Sequence, residues 1–151
     1  MLCNQANVPA KDRVKYFQAL IVSKLINGLS TMWLVTAQRR RVDRFYARCL
    51  RRILRIPASS VSRVSNATVL ARAGVRPFSE QLLQRQLMLL NKVAHSPGES
   101  LLRRDTFIPG TLQLQIGRYV RRVGRPRQNW AEQLVREGAS KLGATKFQSS
   151  W

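Results

Sequence analysis

The stretch Thr36 to Pro57, TAQRRRVDRFYARCLRRILRIP, constrains what this chain can fold into more than any other. On a helix, successive residues turn by about 100°. That places Val42, Phe45, Tyr46, Cys49, Leu50, Ile53, Leu54 and Ile56 on one broad side. Arg40, Arg41, Arg44, Arg48, Arg51, Arg52 and Arg55 gather on the other, Asp43 projects away from them, and only Arg39 falls among the apolar positions. A helix so divided packs a core with one face and leaves the other for solvent or a partner. Thr36 is the expected N-cap. Pro57 is the expected stop, because the residue before a proline disfavours the α conformation. The arginine face has two readings, a solvated charged surface and an anion-binding one. Like charges one turn apart repel by about 0.2–0.5 kcal/mol per pair, and no acid interleaves with these seven arginines. The second reading, a phosphate-binding face, follows.

The whole chain repeats this imbalance. Among 151 residues there are 21 Arg and 6 Lys against 7 acids, a net charge of +20. A GC-rich coding bias would also raise Arg over Lys. Guanidinium, however, is a planar fork that bonds phosphate oxygens bidentately, which suits nucleic acid better than a membrane surface requires. The length suits one ordinary domain or two very small ones, and an apolar share of 44% supplies a core. Cys3 and Cys49 lie far apart, with Cys49 on the apolar face of the central helix, a usage that fits a reduced compartment rather than a disulfide framework. Two cysteines and the single histidine, His95, cannot assemble a zinc knuckle. The first residues, MLCNQANVPAKDR, carry no signal-peptide pattern.

Residues 1–11 read as an unstructured lead-in. From Asp12, Val14, Phe17, Leu20, Ile21, Leu25, Leu29 and Met32 recur at helical spacing and predict a buried helix. Its apolar window would suit a membrane span but for Lys24 at the centre, which costs about 2.5–3.5 kcal/mol there. Gly28 either permits close packing or marks a break. A tight connection then makes an antiparallel hairpin with the arginine helix. Ala58, Ser59, Ser60 and Ser62 predict a flexible loop, and Asn66 is the expected cap of a short helix that Gly74 closes. Ser79 is the expected cap of a longer helix bearing Leu82, Leu83, Leu87, Leu90, Val93 and Ala94 on one face. This pair has the outline of a helix-turn-helix, but Glu80, Gln81, Leu82 and Leu83 are poor base readers, so a plain helical pair is expected. His95 at the helix end suits a contact with the C-terminal dipole.

Residues 97–128 read as irregular, punctuated by Pro97, Gly98, Pro109, Gly110, Gly117, Gly124 and Pro126. TLQLQI at 111–116 alternates and is the fairest strand candidate. Arg118, Arg121, Arg122, Arg125 and Arg127 fall in an acid-free gap between Asp105 and Glu132. Gly124-Arg125-Pro126-Arg127 has three readings: insertion into a narrow minor groove, general phosphate contact, or a structural turn. Asn129 and Glu132 are spaced as a capping box for a last helix, with Trp130 and Leu134 on one side.

The seven acids are Asp12, Asp43, Glu80, Glu99, Asp105, Glu132 and Glu137, and no two form the Asp-Asp or Asp-x-Asp pair that holds two metal ions. No glycine-rich loop joins a strand to a helix. The expected catalytic residues, metals and cofactors are therefore none.

In order, these segments resemble the carboxy-terminal, post-palm region of a non-LTR retrotransposon reverse transcriptase. In that family a Leu-Leu-Tyr-Gly-like segment leads to a Trp-containing turn, as Leu25-Ile26-Asn27-Gly28 and Trp33 do here. An Arg-Cys-Leu-Arg-Arg-Ile-Leu-like helix follows, present as Arg48 to Leu54. Next come a Ser-Asn…Val-Leu…Gly segment (Ser65, Asn66, Val69, Leu70, Gly74), a leucine-rich helix, and a Gly-Arg-Pro-Arg…Trp element from Gly124 to Trp130. The resemblance covers roughly residues 13–137. It implies a thumb-like helical region that grips the template–primer backbone, beside a catalytic palm. Asn27 stands where the family has Tyr, and the turn before Trp33 is about one residue longer. The palm's Tyr-x-Asp-Asp box is absent, so the family's catalytic residues carry over to no position here.

The expected fold is all-α: a helical hairpin, a second helical pair, a basic irregular connector and a C-terminal helix. Its segments are a lead-in (1–11), a thumb-like helical domain (12–96), the connector (97–128), the last helix (129–143) and a frayed tail (144–151). The expected partner is the backbone of DNA, RNA or a hybrid duplex, in a nuclear or nucleocytoplasmic setting, with no membrane. The expected contacts are Arg40, Arg41, Arg44, Arg48, Arg51, Arg52, Arg55, Arg118, Arg121, Arg122, Arg125 and Arg127. The rival reading is a basic structural module that docks acidic proteins.

Overall fold

The computed structural model describes residues 8–115 and 129–142. The fold is all-α, as expected. The helices are α1 (Ala10–Phe17), α2 (Ser23–Leu29), α3 (Thr36–Ile53), α4 (Ser59–Ser62), α5 (Asn66–Ala73), α6 (Phe78–Ala94), α7 (Leu101–Thr106) and α8 (Trp130–Leu142), with a π-helical turn at Gln18–Val22 joining α1 to α2. No helix among the described residues is long and apolar enough to cross a membrane. The described residues divide into two compact units, one comprising those up to Leu29 with Leu34–Leu82, the other Ser30–Trp33 with those from Leu83 onward. The division falls inside α6.

In the first unit, Tyr46 of α3 sits at the centre. Its ring stacks on Phe17 at 5.9 Å and tilts against Phe78 at 6.0 Å. Its hydroxyl accepts hydrogen bonds from Gln81 Nε2 at 3.3 Å and from Gln18 Nε2. Burial pushes the hydroxyl above its ordinary pKa of 10.0, while those two amides pull the other way. Around it pack Val14, Val22, Leu34, Leu50, Ile53, Val69, Phe78 and Leu82; burying each large side chain stabilises by about 1.5–3 kcal/mol. Contacts of Phe17 and Gln18 with Tyr46, across a short connection, pack this arm on α3 as the expected helical hairpin.

The first arm of that hairpin departs from the periodic pattern. An α-helix brings positions seven and eleven residues after Val14, namely Ile21 and Leu25, onto its face. The π turn accommodates one extra residue, so the face is carried instead by Val22, which is fully buried, and Ile26. Leu20, Ile21 and Leu25 are left 46%, 44% and 36% exposed, and Met32 also lies outside. The helix is therefore one-sided, not buried all round. Gly28 has open space around it, so close packing is not its role.

Several local expectations are corrected by who satisfies the backbone. The N-cap of α3 is Val35, whose N–H donates to Gln38 Oε1 at 3.0 Å; Thr36 is already helical. Ser65, not Asn66, caps α5 by accepting from Thr68 N at 3.1 Å. Gly74 closes α5 in the left-handed conformation (φ 65°), with Val75 N–H bonded to the Leu70 carbonyl. Helix α6 starts at Phe78, and its Ser79 N–H donates to Asp43 Oδ1 of α3 at 2.9 Å. A carboxylate at a helix N-terminus is favoured by the helix dipole. Residues 59–62, expected as a flexible loop, form a single helical turn in which Ser62 Oγ donates to the Pro57 and Ala58 carbonyls at 3.2 Å.

The second unit is built on Leu83, Leu90, Val93 and Ala94 of α6, Phe107, and Ala131 and Leu134 of α8, with Trp33 and Trp130 against them. Trp130 Nε1 donates to the Ser30 carbonyl at 3.1 Å, and Gln86 Nε2 to the Met32 carbonyl at 2.7 Å. At the end of α6, His95 Nδ1 donates to the Asn91 carbonyl at 3.0 Å and Arg103 Nη1 to the Ser96 carbonyl at 3.0 Å. Asn129 caps α8 by accepting from Ala131 N at 3.0 Å, while Glu132, expected to complete a capping box, pairs with Arg136 Nη2 at 3.3 Å. The segment expected to be wholly irregular contains α7. TLQLQI is not a strand among its described residues; it makes one antiparallel bridge, Phe107 to Leu114, that closes a turn through Gly110.

Candidate nucleic-acid interface

Helix α3 forms because Arg, Ala, Gln and Leu lose little rotamer freedom in a helix. Its ends fix which arginines face outward. At the start, Arg39 Nε donates to the Leu34 carbonyl at 3.0 Å, so the one arginine among apolar positions folds back on the chain. At the other end α3 stops at Ile53, before the proline. Arg55 N–H bonds the Arg52 carbonyl at 3.3 Å and Ile56 N–H bonds the Arg51 carbonyl at 2.9 Å, with Arg55 left-handed at φ 55°. This is a Schellman closure with arginine where glycine is usual. The sequence carried no glycine to announce it.

Of the seven arginines assigned to the outer face, Arg40, Arg41, Arg44, Arg48, Arg52 and Arg55 are exposed. Among the described residues, no carboxylate pairs with any of the six, and the helix's own acid, Asp43, bonds Ser79 instead. From Arg40 to Arg52 the helix rises about 18 Å, a length over which one DNA strand carries about five phosphates.

Arg51 is the correction. It is only 6% exposed. Nη1 donates to the Pro57 carbonyl and to Ser62 Oγ, both at 3.4 Å. Nη2 donates to Asn66 Oδ1 at 3.1 Å and to the Val64 carbonyl. The guanidinium fork fills with backbone and side-chain oxygens of the segment after α3, so it has no free donor edge for a phosphate. Arg51 stands about 140° around the helix from Tyr46, inside the arginine sector, and it is the oxygens of the following segment that bury it. Arg44, Arg48, Arg51 and Arg55 have the i, i+4, i+7, i+11 spacing of a single stripe, but it is broken twice, by the burial of Arg51 and by the end of the helix before Arg55.

The segment that Arg51 ties down, from Pro57 to Asn66, includes Arg63, exposed and left-handed at φ 52°. Sequence periodicity missed Arg63, since it lies outside any helix.

The second correction is Phe45. Assigned to the core, it is 49% exposed. By helical register it lies between Arg41, one turn before, and Arg48, one turn after, with Arg52 a further turn along. Tyr46, its neighbour, takes the core position. Among the described residues no group of three metal-ligating side chains comes together. Arg118, Arg121, Arg122, Arg125 and Arg127 lie outside the described residues. Comparison with protein-family models, with curated proteins and with solved structures finds no match for this chain.

Proposed function

We propose that this chain grips nucleic acid by its phosphate backbone through the exposed arginines of α3, as a thumb-like, non-catalytic part of a non-LTR retrotransposon reverse transcriptase. One observation carries the reading. Arg40, Arg41, Arg44, Arg48, Arg52 and Arg55 are exposed together, and the acid on the same helix is occupied elsewhere. Like charges held at one-turn spacing raise each other's energy, and a polyanion relieves that repulsion while releasing its counterions. The origin within that family rests on the order of sequence motifs.

The test is a salt titration of binding to DNA duplexes and RNA–DNA hybrids of unrelated sequence. Neutralising about five phosphates makes log K fall with log salt at a slope near −4 to −5, whatever the sequence. Changing Arg40, Arg41, Arg44, Arg48 and Arg52 to Gln should lower affinity and shrink the slope by about one unit per lost contact, with an unchanged thermal melt. A flat salt response overturns the reading. Equal affinity for polyglutamate of matched charge would assign the face to acidic proteins instead.

A further inference from the structure

We infer that Phe45 is a stacking platform for an unpaired base, so that the α3 surface takes single-stranded nucleic acid in preference to duplex. The inference rests on the backbone-binding role proposed above and names its substrate class.

A single exposed phenyl is common on protein surfaces and by itself says nothing. The setting of this one is unusual. Phe45 is 49% exposed although its chain neighbour Tyr46 is 2% exposed within the core cluster. It sits in the arginine sector, with exposed Arg41, Arg48 and Arg52 at i−4, i+3 and i+7 along the same face. Those are the two parts a single-strand site requires: cations spaced to follow a backbone, and a π face between them on which a base can lie. The flanking guanidinium planes add stacking surface of their own. A duplex can use the cations but not the ring. Its bases are stacked on one another and offer only their edges in the grooves, whereas a single strand can turn a base out over the backbone-binding face. The ring therefore separates the two substrates, while the arginines serve both.

Binding should be compared for a single-stranded DNA, the same sequence as RNA, the DNA duplex, and a single strand with abasic sugars throughout. The wild-type chain should prefer base-bearing single strands over the abasic one. Phe45→Ala should weaken single-strand binding by about 5-fold or more, leave duplex binding unchanged and abolish the preference over the abasic strand. Phe45→Trp should preserve or strengthen single-strand binding. Phe45→Leu, which keeps the apolar bulk without the π face, should behave as Phe45→Ala, and it remains decisive should the alanine variant fold poorly. The DNA and RNA arms assign the sugar, since both offer the same base faces. Equal losses on duplex and single strand, or a leucine variant that binds as wild type, overturn the inference and leave the backbone-binding role standing. Absence of salt-dependent binding to any of the four overturns both.

Discussion

The two arms of the first unit's hairpin went opposite ways. The α1–α2 arm is rich in apolar residues, yet Leu20, Ile21 and Leu25 lie outside. The α3 arm is rich in arginine, yet Arg51 lies inside. In the first, a π turn absorbs one residue and shifts which positions meet Tyr46. In the second, the helix is regular, and the segment that follows it wraps the guanidinium with oxygens. Residue type sets a tendency to be buried. Helical phase, and the acceptors that happen to arrive, decide whether it is obeyed.

Deleting one exposed residue from each arm is the strongest way to break this comparison. Removing Arg48 turns the rest of α3 by about 100° relative to Tyr46 and takes Leu50 and Ile53 out of the core. That should cost on the order of 5 kcal/mol or more, comparable with the whole stability of a small domain. Removing Ala19 from the π turn should instead leave a continuous α-helix with Val14 and Val22 still on one face, at a cost below about 1 kcal/mol. Thermal melts of the two deletions decide. An Ala19 deletion as damaging as the Arg48 deletion would mean the π turn is not a phase correction.

Arg51→Ala comes next. It removes the hydrogen bonds that the guanidinium makes to the Pro57 and Val64 carbonyls, Ser62 Oγ and Asn66 Oδ1; a hydrogen bond from a charged group contributes about 1.5–3 kcal/mol, and less at Pro57 and Asn66, which are exposed to water. A loss of about 2–4 kcal/mol is expected in urea denaturation, against about 0.5 kcal/mol or less for exposed Arg48→Ala. Equal losses would return Arg51 to the outward face.

The smallest effect sharpens the helix end. Arg55 holds a left-handed conformation that costs a non-glycine residue about 1–2 kcal/mol. Arg55→Gly should raise stability by up to about 1 kcal/mol, offset in part by the greater freedom of glycine in the unfolded chain. A lower melting temperature would show that the Arg55 side chain supports the fold.

The all-α class, the hairpin, the central helix, the Gly74 closure and the Asn129 cap were legible in the sequence, because each depends on spacing or chemistry within a few residues. Caps were less legible where the partner came from afar, as Asp43 does for Ser79. The arginine surface was legible as a composition and a sector, and its membership was not. The sequence by itself determined that one face of α3 is cationic and one apolar, since the helical period is set by backbone geometry. Only the tertiary structure decided that Arg51 turns inward and Phe45 outward. Phe45 lies near the border between the faces and Arg51 well inside the arginine sector, so what packs on each decided its burial: four oxygens of the following segment met Arg51, while Tyr46 and its neighbours form the core beside Phe45.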